Sequence, residues 1–306
     1  MGHPEAPPVT VCVYLPVLLS LLVAGVSRLV APRLSPGRGT VLTVVGAAVL
    51  CAGATTWALV LLAVSLLGFT SFAAQEASER GVQLANPVPG GVGVAALLVL
   101  GYGFVRVVRV VRVRGATRRE LRELCRSCGR GELAVVPVRA PHAFAVPGRP
   151  GRVLITQGLL ALLDAKERRV VLAHERAHLA GWHHGLRATA EVCAAVNPML
   201  VPVREAVAFL VERNADEHAA TVSGSREVAA TALAKAALAE SGGWATAVLA
   251  FLACDVPARV AALHAAAPRP DRVLPGGFLL LGLSTAFAAV QATLAFYQLI
   301  HWLWLG

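Results

Sequence analysis

The sequence predicts a mainly α-helical membrane protein with four transmembrane helices and an α+β domain inserted between helices 3 and 4. The 306-residue chain is 56% hydrophobic with a mean hydropathy of +0.65, too apolar for an ordinary soluble protein. Its apolar residues gather into four long blocks nearly free of charge. Between the third and fourth blocks lie about 150 residues of mixed character, the size of one ordinary domain.

The blocks set the spans. Val9 to Ala31 meets its first basic residue at Arg28, and Val41 to Phe72 carries no charge. Gly90 to Val105 is uncharged and continues into Val107, Val108 and Val110 between arginines. Val273 to Gly306 holds only His301 as a titratable group. A helix of about 20 residues crosses a hydrocarbon core, so each block suffices. The expected organisation is a membrane region over 1–113, an inserted domain over 114–272 and a closing span over 273–306.

Orientation follows the arginines. Arg28, Arg33 and Arg38 lie between the first two spans, and a dense run from Arg106 to Arg130 follows the third. The loop between spans two and three holds Glu76, Glu79 and a single Arg80. Both termini are therefore expected outside and the inserted domain in the cytoplasm. The +10 net charge reads as a membrane signal facing anionic headgroups, with the lipid bilayer as partner and no direct nucleic-acid contact. The first span lacks a basic n-region and a small-residue cleavage site, the pattern of an uncleaved anchor. Lysine appears only at Lys166 and Lys235, which together with abundant Ala, Val and Gly suggests a GC-rich bacterial genome and so a bacterial cell membrane. Of six cysteines, Cys12 and Cys51 fall in spans, and Cys193 and Cys254 in apolar helical sequence. Cys125 and Cys128 form a lone C-x-x-C without the second pair a zinc knuckle needs, so free thiols are expected.

The insert opens with a helical stretch, Thr117 to Cys125. Strands are expected at Leu133 to Val138, Ala143 to Val146 and Arg152 to Thr156, the last two divided by the turn Pro147 to Gly151. A helix starts over Gly158 to Leu163. Asp164 and Glu167 then open a longer helix, where negative charge suits the dipole.

That helix carries His174-Glu175-Arg176-Ala177-His178, an H-E-x-x-H run. Residues four apart share a helix face, so both imidazoles can grip one metal ion. Glu175 then stands beside the ion, placed to take a proton from an activated water. Val170, Val171, Leu172, Ala173, Leu179 and Ala180 are expected to pack inward, and the helix to stop near Gly181. Catalytic zinc wants three protein ligands and one open position. A second helix, from about Arg204 to Val222, offers Glu212 and Asp216 on one face. Glu212 is the expected third ligand, and Asp216 is placed to fix the ring of a ligating histidine. On its own, the trio Glu212, Asp216 and Glu217 also reads as a solvated acidic face. His142, His183, His184, His218 and His264 are rival ligands, better read as exposed or hydrogen-bonded.

Several segments resemble the BlaR1/MecR1-like integral-membrane zinc peptidases, gluzincins grouped with HtpX and the CAAX prenyl endopeptidases. The matching residues are Ala143-Phe144-Ala145, Val153 to Thr156, Gly158-Leu159-Leu160, the H-E-x-x-H run, Asn197-Pro198, Glu212-x-x-x-Asp216 and Arg259 to Leu263. The resemblance spans roughly Gly90 to the C-terminus and implies a gluzincin domain. It implies one zinc ion held by His174, His178 and Glu212, with Glu175 as catalytic base and Asp216 in support. It further implies a peptide or protein substrate, a transcriptional repressor among the options, and regulatory proteolysis. The penicillin-binding sensor domain of the sensing members has no counterpart before Gly306, so β-lactam sensing is not implied.

In this reading Ala143 to Val146 is an edge against which an extended substrate pairs, and Arg213, His218 and Arg259 are candidates for oxyanion donor. An HtpX-like quality-control protease, a zinc hydrolase acting on lipid, and a non-catalytic zinc-containing signalling or scaffold protein are the alternatives. The apolar stretch Val192 to Leu210 either dips into the bilayer or packs in the domain.

Overall fold

The computed structural model describes residues 9–69, 90–127, 131–241, 256–269 and 271–305. Helices α1 (Val9–Val30) and α2 (Arg38–Phe69) are joined through a 3-10 turn at Ala31–Arg33, and α3 runs from Gly90 to Ser127. A three-stranded sheet follows, made of β1 (Leu133–Val136), β2 (Ala143–Val146) and β3 (Arg152–Thr156). Next come α4 (Gln157–Leu162), α5 (Ala165–Ala180), α6 (His183–Val196), α7 (Val201–Ser223), α8 (Arg226–Ser241) and α9 (Val256–His264). Helix α10 (Val273–Leu305) closes the chain.

Four helices are long and apolar enough to cross a membrane, over Val13–Arg33, Arg38–Leu66, Gly90–Ser127 and Val273–Gln298. Leu18, Leu98, Phe104 and Phe287 are among the large apolar side chains these helices leave exposed, as a lipid solvent requires. The acidic loop with Glu76, Glu79 and Arg80 lies outside the described residues, as does Cys128. Helix α3 runs without a break through residue 113. No proline interrupts Gly90 to Ser127, so the span and the expected Thr117–Cys125 helix are one rod of 38 residues, about 57 Å long.

The sheet order is β1-β3-β2, with β1 parallel and β2 antiparallel to β3. Its inner face clusters Ala143 and Ile155 with Leu159, Leu163 and Val171, which seats it on α4 and α5. Its outer face, at Val136, Val146 and Leu154, is covered by Leu121 and Cys125 of α3. The first strand stops at Val136 rather than Val138 because Pro137 has no N–H for the ladder; the Val138 carbonyl instead accepts Gly158 N at 3.0 Å.

The open question over Val192 to Leu210 is answered by packing. Helices α6 and α7, joined by a 3-10 turn at Pro198–Leu200, form a hairpin whose tip enters the helical bundle. Leu200, Val203, Val207 and Leu210 are fully buried in one cluster with Val23, Val44, Ala47, Cys51 and Phe278. At the tip, Asn197 Nδ2 donates to Thr55 Oγ1 at 3.2 Å, and Thr55 meets Ser20 at 2.9 Å. Thr55 lies roughly 25 Å along α2 from its start. A Cβ on Gly103 of α3 would stand 3.3 Å from the Val196 carbonyl oxygen, so the absence of a side chain there lets the hairpin approach. Helix α7 begins at Val201, earlier than the expected Arg204, because Pro202 is well tolerated in a first turn.

Candidate metal centre

Helix α5 is fixed at its start by a capping box. Asp164 accepts from the backbone N–H groups of Lys166 and Glu167 at 2.7 and 2.9 Å, and Glu167 Oε2 accepts from Asp164 N at 2.9 Å. Glu167 is buried and ion-paired with Lys235. Val170, Val171, Ala173 and Ala177 form the buried face. Leu172 and Leu179 are half-buried, and Ala180, expected inside, is exposed at the helix end. This anchoring turns His174 and His178 toward α7.

Three atoms converge there. Nε2 of His174 and Nε2 of His178 are 3.0 Å apart, and Oε2 of Glu212 lies 3.5 and 3.7 Å from them. Ligands about 2.0–2.2 Å from a tetrahedral zinc ion stand about 3.3 Å from one another, so these spacings suit one such cation. The surrounding hydrogen bonds orient the rings for it. His174 directs Nδ1 at Asp216 Oδ1, 3.0 Å away, which leaves Nε2 to face Glu212.

His178 is oriented by a group the sequence reading set aside. His183 Nδ1 lies 3.0 Å from His178 Nδ1, and His183 Nε2 lies 3.1 Å from Asn214 Oδ1. Asn214 Nδ2 donates to the Pro36 carbonyl at 2.6 Å, so its Oδ1 is the acceptor for His183 Nε2–H. His183 Nδ1 is then bare and takes the Nδ1–H of His178, leaving the His178 Nε2 lone pair on the cation side. Burial does most to lower the His183 pKa to about 4, keeping it neutral as this pattern needs. Trp182 adopts a left-handed conformation (φ 55°) that turns the chain back on α5. A Cβ on Gly181 would fall 2.3 Å from His183 Nε2, so the tight turn needs glycine there.

The acidic side is equally tied. Arg259 donates to Asp216 through Nε at 2.7 Å and Nη2 at 2.8 Å, and its Nη1 lies 3.3 Å from Glu212 Oε2. Arg187 Nη1 donates to Glu212 Oε1 at 3.0 Å. Burial alone would lift the carboxyls of Glu212 and Asp216. His178 and His174 hold Glu212 well below the ordinary range, and Arg259 does most to hold Asp216 down. Burial opposes charge on His174, yet Asp216 and Glu212 overcome it and lift the ring to about 10. Two buried carboxylates aimed at two imidazoles thus draw positive charge to the point where the three atoms meet. Glu175, half-buried one step round the helix, makes no side-chain hydrogen bond with another described residue.

The structure thus places Asp216 against the ring of His174 and Glu212 against both histidines. Two of the expected oxyanion donors are engaged elsewhere: Arg213 points to the carbonyls of Pro32 and Leu34 at 3.4 and 3.3 Å, and Arg259 is held by the carboxylates. His218 and His264 are exposed. His142 stacks near Phe144 with ring centres 5.7 Å apart, and His184 near Trp182 at 5.6 Å. Sequence reasoning missed the roles of His183, Asn214 and Arg187. His183 carried a signal, lying five residues after His178, but its helix had no visible start.

The profile of peptidase family M48 matches residues 115–274, just over half of the chain. A protease HtpX homolog of Aquifex aeolicus (strain VF5) is 44% identical over 50 residues, 16% of this chain and 17% of that relative. A protease HtpX homolog of Pyrococcus abyssi (strain GE5 / Orsay) is 36% identical over 83 residues, 26% of this chain and 29% of that relative. The chain thus spans less than a third of the length of these curated relatives. No solved structure gives a significant match.

Proposed function

Because this chain belongs to peptidase family M48, we propose that it is a membrane-embedded zinc metalloendopeptidase. The observation that carries this is the meeting of His174 Nε2, His178 Nε2 and Glu212 Oε2 beside Glu175. Those three residues would hold the ion, with Asp216 and His183 orienting the two rings. Zinc, when bound, supplies a Lewis acid that lowers the pKa of water to about 7 and polarises a carbonyl.

Glu175 accepts the proton of the attacking water and returns it to the departing amine. The edge of β2, Ala143–Val146, offers backbone groups to an extended peptide. Arg187 and Arg259 hold the two oxygens of Glu212 in place, so the ligand set does not reorganise during the reaction. Three protein ligands would leave a bound zinc one position for water and substrate, which is what separates a catalytic from a structural zinc site.

The orientation belongs to the same reading. The α1–α2 connection touches α7 through Arg213 and Asn214, so the first basic loop lies at the same end of the bundle as the peptidase domain. With the arginine run after the third span, this favours a cytoplasmic domain in a bacterial cell membrane. Regulatory proteolysis of the BlaR1/MecR1-like kind, with a transcriptional repressor as substrate, is supported by the three spans before the domain. HtpX-like quality control is supported by the curated relatives. The deciding experiment digests a peptide library with purified wild type and Glu175→Gln while measuring bound zinc. Cleavage by wild type alone, at equal zinc content, is expected; equal cleavage by both removes Glu175 from the chemistry.

A further inference from the structure

The long rod of α3 does more than cross the membrane. Arg114, Arg118 and Arg122 recur every fourth residue and share one helix face. Arg114 pairs with Glu191 of α6, and Arg122 Nη2 donates to the Pro147 carbonyl just after β2, at 3.5 Å. Arg118 and Arg114 are both close enough to His184, at the start of α6, to bear on its charge. The next residue back, His183, touches His178. The turn after β2 in turn abuts α5, for a Cβ on Gly151 would stand 3.2 Å from Leu179 Cδ2. The arginine face therefore spans from the start of α6 to the turn after β2, the two segments that flank the end of α5 carrying His178.

Glu191 answers Arg114, but Arg118 has no carboxylate partner among the described residues. Resting on the peptidase reading, we propose that Arg118 and Arg122 form a subsite for an acidic side chain, so that peptides with Glu or Asp near the scissile bond are preferred. An anionic headgroup is the rival occupant, and distance decides against it. About 20 residues of α3 cross the hydrocarbon, which brings the bilayer edge near Arg109. Arg118 then stands about 13 Å further along the rod, outside the headgroup layer, which extends only about 5–7 Å beyond the hydrocarbon on each side. Arg106, Arg109 and Arg112 are the arginines at headgroup level.

The test uses full-length protein in nanodiscs of zwitterionic lipid, with fluorogenic peptides that differ only in Glu against Gln at successive positions flanking the cleaved bond. At one position kcat/KM is expected to favour Glu by about fivefold, the worth of one partly exposed ion pair. The gain should lie in KM and shrink as salt rises. Arg118→Glu with Arg122→Glu should reverse the Glu-to-Gln ratio, and the paired Lys variants should retain it. That ratio is insensitive to the fraction of protein folded. A ratio near one in wild type, or one unmoved by charge reversal, overturns the subsite while leaving the peptidase reading intact. If reversal instead changes only the response to added phosphatidylglycerol, the arginines read lipid and the proposal is wrong. Zinc-loaded wild type that cleaves no peptide overturns the peptidase reading and this one with it.

Discussion

His183 places Nδ1 3.0 Å from Nδ1 of His178 and returns its other nitrogen to Asn214. One imidazole thereby sets the tautomer of another, and the chain of contacts ends on the Pro36 carbonyl of the α1–α2 connection. A supporting partner of this kind typically alters metal affinity 10–100-fold. His183→Ala is expected to weaken zinc binding by about tenfold or more, measured by competition with a chelator. His183→Asp should lose less, since a carboxylate also accepts from Nδ1–H. Wild-type affinity in His183→Ala would leave the ring without an orienting role.

Removing the proposed base separates chemistry from ligation. Glu175→Gln should keep zinc near one ion per chain, by elemental analysis, while peptide turnover falls by roughly 100- to 10,000-fold. Glu212→Ala should instead lose the metal along with the activity. A Glu212→Ala protein that retains wild-type zinc would exclude it from the ligand set.

The buried pair of Arg259 and Asp216 carries a stability consequence. Their side chains are 8% and 4% exposed, so Arg259→Leu leaves two carboxylates without their shared cation. Breaking one side of a buried pair typically costs about 3–5 kcal/mol. The thermal midpoint of metal-free protein in detergent should fall clearly, and an unchanged midpoint would contradict the pairing. Asp216→Asn should cost less stability but lower zinc affinity.

The cap on α5 gives a pH dependence. The Glu167 backbone N–H does most to hold the Asp164 carboxyl below its ordinary value; burial opposes it, and the Lys166 N–H with the charges of Lys235 and Lys166 adds to the lowering. The folded state therefore binds that proton less readily than the unfolded chain. The stabilisation is present above the unfolded value of about 4 and is lost as pH falls through the folded value. The melting-temperature gap between wild type and Asp164→Ala should be open at neutral pH and close in acid. Asp164→Asn, which also caps, should sit near wild type at neutral pH. A gap that widens in acid would reverse the sign.

At the hairpin tip, Asn197→Ala removes the donor to Thr55 and the cap on Met199 N. Contacts of this type inside membrane proteins average about 0.6 kcal/mol. A modest drop in thermal midpoint with zinc content preserved is the expected outcome. A rise in midpoint would show that the contact opposes folding.

The sequence by itself determined the local features. Uncharged length fixed where the spans lie, because hydrocarbon tolerates neither charge nor unpaired backbone over about 20 residues. Fourfold spacing put His174 with His178 and Glu212 with Asp216, because 3.6 residues per turn dictates which side chains share a face. The turn at Pro147–Gly151 divided β2 from β3 for an equally local reason. Tertiary structure decided everything that depends on two segments meeting. The spacing of His183 from His178 hinted at a contact, but only the turn at Trp182 brought the rings together, and nothing local told that Arg259, named for another role, would clamp Asp216 or that Arg213 would turn away to the α1–α2 connection. The apolar hairpin around Asn197 was ambiguous for the same reason: an apolar helix reads alike in a domain core and in a bundle, and only its partners distinguish them. Hydrogen bonds between residues far apart in sequence leave no periodic trace, so the orienting groups of the centre became visible only once the chain had folded.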